Sequence, residues 1–556
     1  MRTFGYISAL ACLWLTSVGA LAQEEAGQQG GDEITVSGSI QSDILFPQSD
    51  AKIGAPEYSE TALTNSFAEV SLTSRHADAG MRFEYLQHPL PGFDNKYAGY
   101  GVPYFYVKGH WQKLEVTLGN FYEQFGSGFI LRTYEDRSLG IDNSLRGARV
   151  MAKPFNGVTV KALVGQQRAY WDYNDAWLYG ADVEFSFDQW FKSLSNSGTY
   201  LTLGASWITK HEATEDLMVD ASHKLNLPEN VGAYDVRLRL QKGGLNVLAE
   251  YAQKMQDPEE LNGYIFRKGY VAMLSASYSK RGMSLLMQAK RSDNMTFRSA
   301  RSRVGGTDNS SYINHLPAFT MDHTYALAAL YPYATNANGE WAYQAELGYN
   351  FKRHTLLGGK YGTKVKANFS YVRAIQKDVV DGGGMGTDGY NSSFFKWGDQ
   401  CYYQDLNVQV EKKLSSSFKL NLMYMNQFYN QRAVEQHGEA MIHSNIFVAE
   451  GKYRFNNVFT LRGEAQYLTT NEDKGDWAYG LLELSILPHW MITASDMYNV
   501  GETELHYYQG LVTFTTGAHR LQAGYGRTRA GYNCAGGVCR WVPATKGFTL
   551  SYNYNF

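Results

Sequence analysis

The sequence predicts an all-β protein, a single large transmembrane antiparallel β-barrel of about 24 to 26 strands with no separate plug domain. Three observations predict this fold. Apolar and polar residues alternate with a period of two along most of the chain, and aromatic residues recur at both ends of the apolar faces. The connections between candidate strands alternate between short and long. This combination is typical of proteins that cross a membrane with strands.

The first residues predict export from the cytoplasm. Arg2 precedes an apolar run, and the small residues at 20–22 follow it, which is the arrangement of a secretory signal peptide. We therefore expect three parts: a signal peptide at residues 1–22, a short periplasmic segment at 23–33 and an outer-membrane barrel at 34–556.

The alternation is clear in the stretch "FTLRGEAQY". Phe459, Leu461 and Tyr467 share one face of a strand, and Arg462 and Glu464 share the other. The same pattern recurs at 343–351, 447–455 and 547–556. A soluble β-sandwich, in which each strand buries one face, would produce the same alternation.

The spacing of the aromatic residues favours a membrane barrel over a sandwich. In all four stretches two aromatic residues lie eight positions apart, at the two ends of the apolar face. Eight residues of a tilted strand cover roughly 21 Å along a barrel axis, close to the ~25 Å apolar band between aromatic girdles. We expect the apolar face to contact lipid.

The connections give the strand count. Short turns such as 241–245 and 515–518 alternate with long connections at 121–144, 209–231, 291–322, 374–402 and 527–546. About 25 candidate strands can be marked. Short turns follow even-numbered strands before Gly282 and odd-numbered strands after Leu414, so one strand between these two residues is miscounted. A closed bacterial barrel has an even number of strands, and the total is therefore about 24 or 26.

Composition excludes several classes of protein. Removing Arg2 with the signal leaves 50 of the 51 Lys and Arg against 54 Asp and Glu, a net charge of −4, so no nucleic-acid partner is expected. The apolar run "YALAALYPYA" at 325–334 is too short for a membrane helix and contains a proline. The expected partners are the lipid bilayer, the insertion machinery of the outer membrane and other outer-membrane or periplasmic proteins.

Two features resemble known outer-membrane proteins. The last strand ends on Phe556 and resembles the terminal signal that the insertion machinery recognises. The segment "GNFYEQFGSGFILRTYEDRSLGIDNSLRGARV" at 119–150 resembles a family of large uncharacterised outer-membrane β-barrel proteins of Bacteroidota. The resemblance implies the fold and a location in the cell outer membrane, and it supplies no functional residues.

The long connection at 121–144 is the main candidate functional site. It carries six charged residues that would restrict a lumen if the loop folded inward: Glu123, Arg132, Glu135, Asp136, Arg137 and Asp142. Irregular backbone at membrane depth is tolerated where it is buried or lines water. The alternative is an ordinary solvated surface loop.

Two further groups of residues are candidates. Tyr170, Trp171, Tyr173 and Trp177 would suit sugar rings as a surface aromatic platform, although an aromatic girdle that runs into a loop is the plainer interpretation. Cys534 and Cys539 bracket four residues in a long loop of an exported protein, which favours a disulfide over a metal site.

No pattern in the sequence indicates catalysis. The His residues are scattered, and no Ser, His and acid group stands out by spacing. We expect no enzyme activity, no cofactor and no metal. The sequence favours a channel or porin-like transporter for small polar solutes with a lumen-restricting loop, and the alternative is a non-conducting accessory barrel of a larger surface machine.

Overall fold

A computed structural model describes residues 34–302, 311–436 and 438–556, and 24 antiparallel strands of this part of the chain form one closed sheet. The predicted signal peptide and the segment 23–33 lie outside the described residues. The strands are β1 (Thr35–Pro47), β2 (Leu63–Thr73), β3 (Ala77–Leu86), β4 (Gly99–Trp111), β5 (Leu114–Phe121), β6 (Leu145–Ala152), β7 (Val158–Ala169), β8 (Asp172–Ser186), β9 (Thr199–His211), β10 (Asn230–Lys242), β11 (Leu245–Lys254), β12 (Gly269–Lys280), β13 (Met283–Asp293), β14 (Gly339–Phe351), β15 (Thr363–Ile375), β16 (Trp397–Lys413), β17 (Phe418–Asn430), β18 (Met441–Arg454), β19 (Phe459–Thr469), β20 (Trp477–Ile486), β21 (Trp490–Asn499), β22 (His506–Thr516), β23 (His519–Thr528) and β24 (Thr545–Asn555).

Short elements occupy the connections. Among the described residues, three two-stranded hairpins pair Glu135–Asp136 with Ile141–Asp142, Asp378–Val379 with Tyr390–Asn391, and Gly531–Ala535 with Val538–Val542. The helices in this part of the chain are short: α-helices at Lys192–Asn196 and Gln431–Glu435, and 3-10 turns at Asn95–Tyr97, Phe187–Gln189, Glu260–Asn262 and Asp381–Gly383.

The barrel closes where its first strand meets its last. Strand β1 pairs with β2 along one edge and with β24 along the other, from Ser39 opposite Asn555 to Pro47 opposite Gly547. Gly38 and Phe556 extend the seam by exchanging backbone hydrogen bonds of 2.9 and 3.0 Å. No sheet edge is therefore left open along this seam, which is the condition for a spanning barrel.

The two faces of each strand follow the predicted alternation. In β19, Phe459 and Tyr467 point outward and are 39% and 40% exposed, whereas Glu464 and Gln466 point inward and are buried. Exposed large apolar residues recur on the outward faces of other strands, among them Phe447, Leu482 and Phe548. The outer surface is thus an apolar wall with aromatic residues near its two rims, as in barrels embedded in lipid.

The count of 24 corrects the provisional count of 25. The miscounted strand lies between β13 and β14, where the described residues 294–302 and 311–338 contribute no strand to the barrel. We refer to these described residues as loop 294–338. We name the two ends of the barrel by their connections. The turn end carries short links such as 243–244, 281–282 and 517–518, and the loop end carries the long ones, among them 122–144, 212–229 and 529–544.

The interior of the barrel is filled from its own loops. One apolar cluster joins inward residues of the wall, such as Ile446 and Leu468, to residues of loops 122–144 and 294–338. Among the described residues the filling comes from these connections and not from a separate plug domain. The functional question therefore concerns these two loops and the lumen around them.

Candidate functional site

Loop 122–144 folds into the lumen because its middle is apolar. Phe125, Phe129, Ile130 and Leu131 are fully buried in the interior cluster. Burial of each of these four side chains stabilises the inward-folded loop by on the order of 1.5 to 3 kcal/mol. A solvated surface loop would lack this stabilisation.

The tip of this loop reaches the wall six strands away from β5. Ser127 donates from its backbone nitrogen and its hydroxyl to the Glu250 carboxylate on β11, at 2.8 and 2.5 Å. Gly126 has a φ of +53°, and a Cβ there would lie 2.4 Å from Glu250 Oε1. The positive φ and the close approach of backbone to wall both favour glycine at this position. The loop begins after β5 and touches β11, so it extends inside the barrel over about a quarter of the 24 strands.

A buried ionic cluster holds the base of the loop. Asp142 accepts hydrogen bonds from Arg168 Nη1 at 2.5 Å, from Tyr122 Oη at 3.1 Å and from Arg82. Glu84 bridges the two arginines, at 2.7 Å from Arg82 Nε and 2.7 Å from Arg168 Nη2. We call Asp142, Arg82, Arg168 and Glu84 the Asp142 cluster. Burial would raise the pKa of Asp142, but the Arg168 and Arg82 guanidiniums hold it below its usual value.

Three more of the predicted residues lie beside this cluster. Glu135 accepts from Arg137 Nε at 2.6 Å and pairs with Arg82 Nη1 at 3.0 Å. Arg137 also bonds Gln41 on β1 at 3.1 Å and pairs with Glu69 on β2. Asp136 accepts from the backbone and hydroxyl of Ser138 and shapes the turn that follows. Burial outweighs the attraction of the arginines and raises the pKa of Glu135.

The remaining two predicted residues hold other parts of the loop. Glu123 accepts from Arg149 Nε at 2.5 Å and from Lys161 Nζ at 2.9 Å, both on the wall. Burial would raise the pKa of Glu123, but these two cations lower it. Arg132 places its guanidinium 4.7 Å above the ring of Tyr134. All six charged residues therefore lie inside the barrel or at its inner rim, mostly paired and not free in a pore.

The second inward loop, 294–338, was missed by the sequence analysis. It buries Phe297, Leu327, Tyr331 and other apolar residues in the interior cluster. The signal was present in the run "YALAALYPYA" at 325–334. A loop this apolar must be buried, and a barrel whose outer face meets lipid offers only its lumen.

Polar contacts attach residues 323–327 of this second loop to one part of the wall. His323 Nε2 lies 2.6 Å from Asp405 Oδ2 on β16, and Tyr325 Oη donates to Glu450 on β18 at 3.1 Å. The backbone nitrogen of Leu327 donates to Gln466 on β19 at 2.8 Å. This part of the second loop therefore lies against strands β16 to β19.

The two loops also bind each other. The backbone nitrogen of Arg132 donates to the carbonyl of Ile313 at 2.8 Å, and that of His315 donates to Gly128 at 2.9 Å. Asn314 Nδ2 donates to the carbonyl of Phe129 at 2.9 Å. The loops form one packed body, so displacement of one would disturb the other.

A disulfide-linked hairpin lies across the loop end. Cys534 and Cys539 are joined between the short strands Gly531–Ala535 and Val538–Val542. The hairpin touches both inward loops: Asn533 Nδ2 donates to the carbonyl of Ser138 at 3.2 Å, and Gly537 accepts from the backbone of Thr335 at 3.0 Å.

The four predicted platform aromatics lie at different depths. Tyr170 is 6% exposed and packs its ring edge-on to Tyr97 at 4.7 Å. The Trp171 indole nitrogen donates to the Tyr97 carbonyl at 2.9 Å. Tyr173 is half-buried, and Trp177 points outward from β8 with 39% exposure. The four rings do not form one exposed face, because strand alternation turns Trp177 toward the lipid side and a turn buries Tyr170.

Toward the turn end the lumen is open and charged. A cavity of about 410 Å³ is lined by Lys364, Lys366, Glu346 and Glu411, among others. These side chains pair across strands, with 3.1 Å between Lys366 Nζ and Glu346 and 3.2 Å between Lys364 Nζ and Glu411. The charges largely cancel, so the cavity offers no strong preference for either sign of ion.

Within residues 34–302, 311–436 and 438–556, no three His, Cys, Asp or Glu side chains are grouped so that they could hold a metal ion. In the same part of the chain no helix has the length and apolarity needed to cross a membrane. Cys401 is a free, half-buried thiol.

Comparison with known proteins finds similar solved structures. The siderophore receptor PirA from Pseudomonas aeruginosa matches with a TM-score of 0.40 and 10% identity, over 95% of this chain and 81% of that chain. Acinetobacter baumannii OccAB3 matches with a TM-score of 0.33 and 8% identity, over 94% and 99% of the two chains. The copper transporter OprC matches with a TM-score of 0.38 and 9% identity, over 95% and 84%.

Comparison of the sequence alone identifies a family. No curated protein matches the chain. A family described only as being of unknown function (DUF6029) matches residues 4–556. This match spans nearly the whole sequence, and the protein therefore belongs to the DUF6029 family.

Proposed function

We propose that the protein is an outer-membrane channel for small polar solutes whose lumen is restricted by loops 122–144 and 294–338. The observation that carries this proposal is the anchoring of loop 122–144 inside the barrel, where Asp142 pairs with Arg82 and Arg168 of the wall. A loop held by ionic contacts at its base and by Ser127 at its tip is built to occupy the lumen.

The outer surface of the barrel supports a location in a membrane. An apolar outward face with exposed aromatic residues such as Phe459 and Tyr467 supports insertion in a bilayer. A closed barrel made only of strands supports the outer membrane, with the insertion machinery as a partner. An origin in Bacteroidota rests on the sequence resemblance of residues 119–150 alone.

The direct test is electrical. Purified barrel in planar bilayers should show a low conductance, and a variant lacking residues 124–142 should show a clearly higher one, because the deletion removes the buried middle of the loop. A matched control lacks residues 218–223 of the exposed loop 212–229 and should conduct like the intact barrel. Heat-modifiable gel mobility checks that all three barrels fold.

A second candidate function is a non-conducting accessory barrel of a larger surface machine. The extent of the apolar filling favours it, since Phe125, Phe297 and Leu327 are wholly buried as in a solid core. This candidate predicts no conductance from either the intact barrel or the 124–142 deletion. It also predicts a stoichiometric partner that co-purifies in mild detergent with the intact barrel and is lost from the deletion variant.

A further inference from the structure

Four neighbouring strands carry an almost uncharged inner face. On the inward positions of β21 to β24, the one charged residue is Arg520, near the turn end. The inward side chains between the two ends are mainly hydroxyls and amides, including Thr493, Ser495, Gln509, Gln522, Thr549 and Ser551. We call these six residues the neutral strip.

The register of the sheet places strip residues of neighbouring strands side by side, and Gln522 Nε2 bonds Thr513 of β22 at 3.1 Å. Ser495 on β21 lies opposite Gln509 on β22, and Gln522 on β23 lies opposite Ser551 on β24. Thr549 lies opposite Gly524, one inward position closer to the loop end. The strip therefore extends both around the wall and along the barrel axis.

The inward loops bond to other parts of the wall. Residues 323–327 of the second loop bond to strands β16, β18 and β19, and the interior cluster meets the strands of the strip at Met497 and Tyr507, one inward position nearer the loop end than Ser495 and Gln509. Among the described residues, no hydrogen bond joins a neutral-strip side chain to either inward loop. All six strip residues are half-buried, and because they point inward, the surface they expose faces the lumen.

The rest of the wall differs in charge. The inner faces of β14 to β19 carry ion pairs, such as Lys366 with Glu346 and Arg462 with Glu450. Most inward residues in the loop-end half of that arc are buried under the filling, as are Ile446 and Leu468. The neutral strip thus differs in charge from the partly exposed inner wall of β14 to β19.

The hairpin Gly531–Val542 stands at the loop end of the strip. It continues β23 and β24 and bends over the lumen to reach Ser138 and Thr335. The loop-end mouth beside β23 and β24 is therefore covered by this hairpin, whereas the turn end of the strip is open to the lumen.

We propose that solutes cross the barrel along the neutral strip and that they are uncharged and rich in hydroxyl groups. Hydroxyl and amide side chains both donate and accept hydrogen bonds, so they can replace the water around a polyol. They offer no opposite charge to offset the desolvation of an ionised solute. This inference rests on the proposed channel function and adds the route and the class of solute.

The test measures solute entry into liposomes that contain the barrel, by osmotic swelling. Sorbitol and gluconate have similar size and differ in charge, so sorbitol should enter several-fold faster. Ser551→Trp should slow sorbitol entry several-fold by filling the strip. Lys366→Trp, an inward substitution on the charged arc, is the matched control and should change entry little. Gln522→Glu should lower gluconate entry further by repulsion.

Each measurement is made on the intact barrel and on the variant lacking residues 124–142, with folding checked by heat-modifiable mobility. Equal entry of sorbitol and gluconate overturns the solute class. Loss of entry in Lys366→Trp but not in Ser551→Trp overturns the route while the channel function stands. No entry of any solute through either barrel overturns the channel function and, with it, this inference.

Discussion

Protonation of His315 should loosen the contact between the two inward loops. His315 is 7% exposed, its ring lies 5.9 Å from that of Tyr134, and its backbone nitrogen binds Gly128. Burial, together with the positive charges of Arg132 and Lys290, lowers the pKa of His315 from 6.5 to about 3. The docked loops therefore hold His315 neutral at every pH above about 3.

The magnitude follows from the two pKa values. Above pH 6.5 both docked and released His315 are neutral, and the docking free energy does not depend on pH. Below that value the released histidine binds a proton that the docked one cannot, so docking weakens by about 1.4 kcal/mol per pH unit. From pH 7 to pH 5 the loss is about 2 kcal/mol, or roughly a 25-fold rise in the population of released loops.

The assay compares single-channel open probability at pH 7 and pH 5 for the intact barrel and for His315→Gln, which remains neutral. Other groups also respond in this range. Glu135 has a raised pKa and contributes with the opposite sign, because docking favours its protonated form. Such groups are common to both proteins and cancel in the comparison. An equal pH response of the intact barrel and His315→Gln would refute the reasoning.

Three other predictions follow from the geometry. Leu461→Arg places a charge on the lipid face of β19 and should cost about 2 to 4 kcal/mol of unfolding free energy, measured by urea titration, whereas Thr460→Arg on the inner face should be tolerated. Asp142→Ala leaves two buried arginines short of a partner and should weaken loop docking by about 3 to 5 kcal/mol, seen as faster proteolysis within 122–144; Asp136→Ala is the control and should have little effect. Reducing the hairpin disulfide should speed proteolysis of residues 531–542 while heat-modifiable mobility of the barrel stays unchanged, since the hairpin lies outside the 24-strand sheet.

The barrel was largely predictable from sequence because each strand has two chemically different faces. Alternation assigned Leu461 to the outer face and Glu464 to the inner one, and the structure confirms both. The count alone was ambiguous, since residues 294–338 mix apolar and polar residues without a period of two. The described residues of this stretch pack as a loop inside the barrel, where burial does not require alternation.

The site was less predictable because its contacts join distant parts of the chain. Loop 122–144 was identified from its charged residues, but its wall partners Arg82 and Arg168 belong to strands whose neighbours in space follow only from the register. The inward position of loop 294–338 was not predicted. Its apolar run at 325–334 was recognised as too short for a membrane helix, but it was not interpreted as a segment buried in the lumen. Apolarity within a long connection is the signal to use in related sequences.

The seam between β1 and β24 bears on how the protein is made. Asp43 and Ser551 bond across this seam although 508 positions separate them in the chain. Contacts between such distant positions form slowly, because a long stretch of chain must be ordered first. Until they form, the growing sheet presents two unpaired edges that can join other chains. We therefore expect the open sheet to depend on an assembly partner that covers both edges, and a chain that stops short of Thr545 would remain bound to that partner or aggregate.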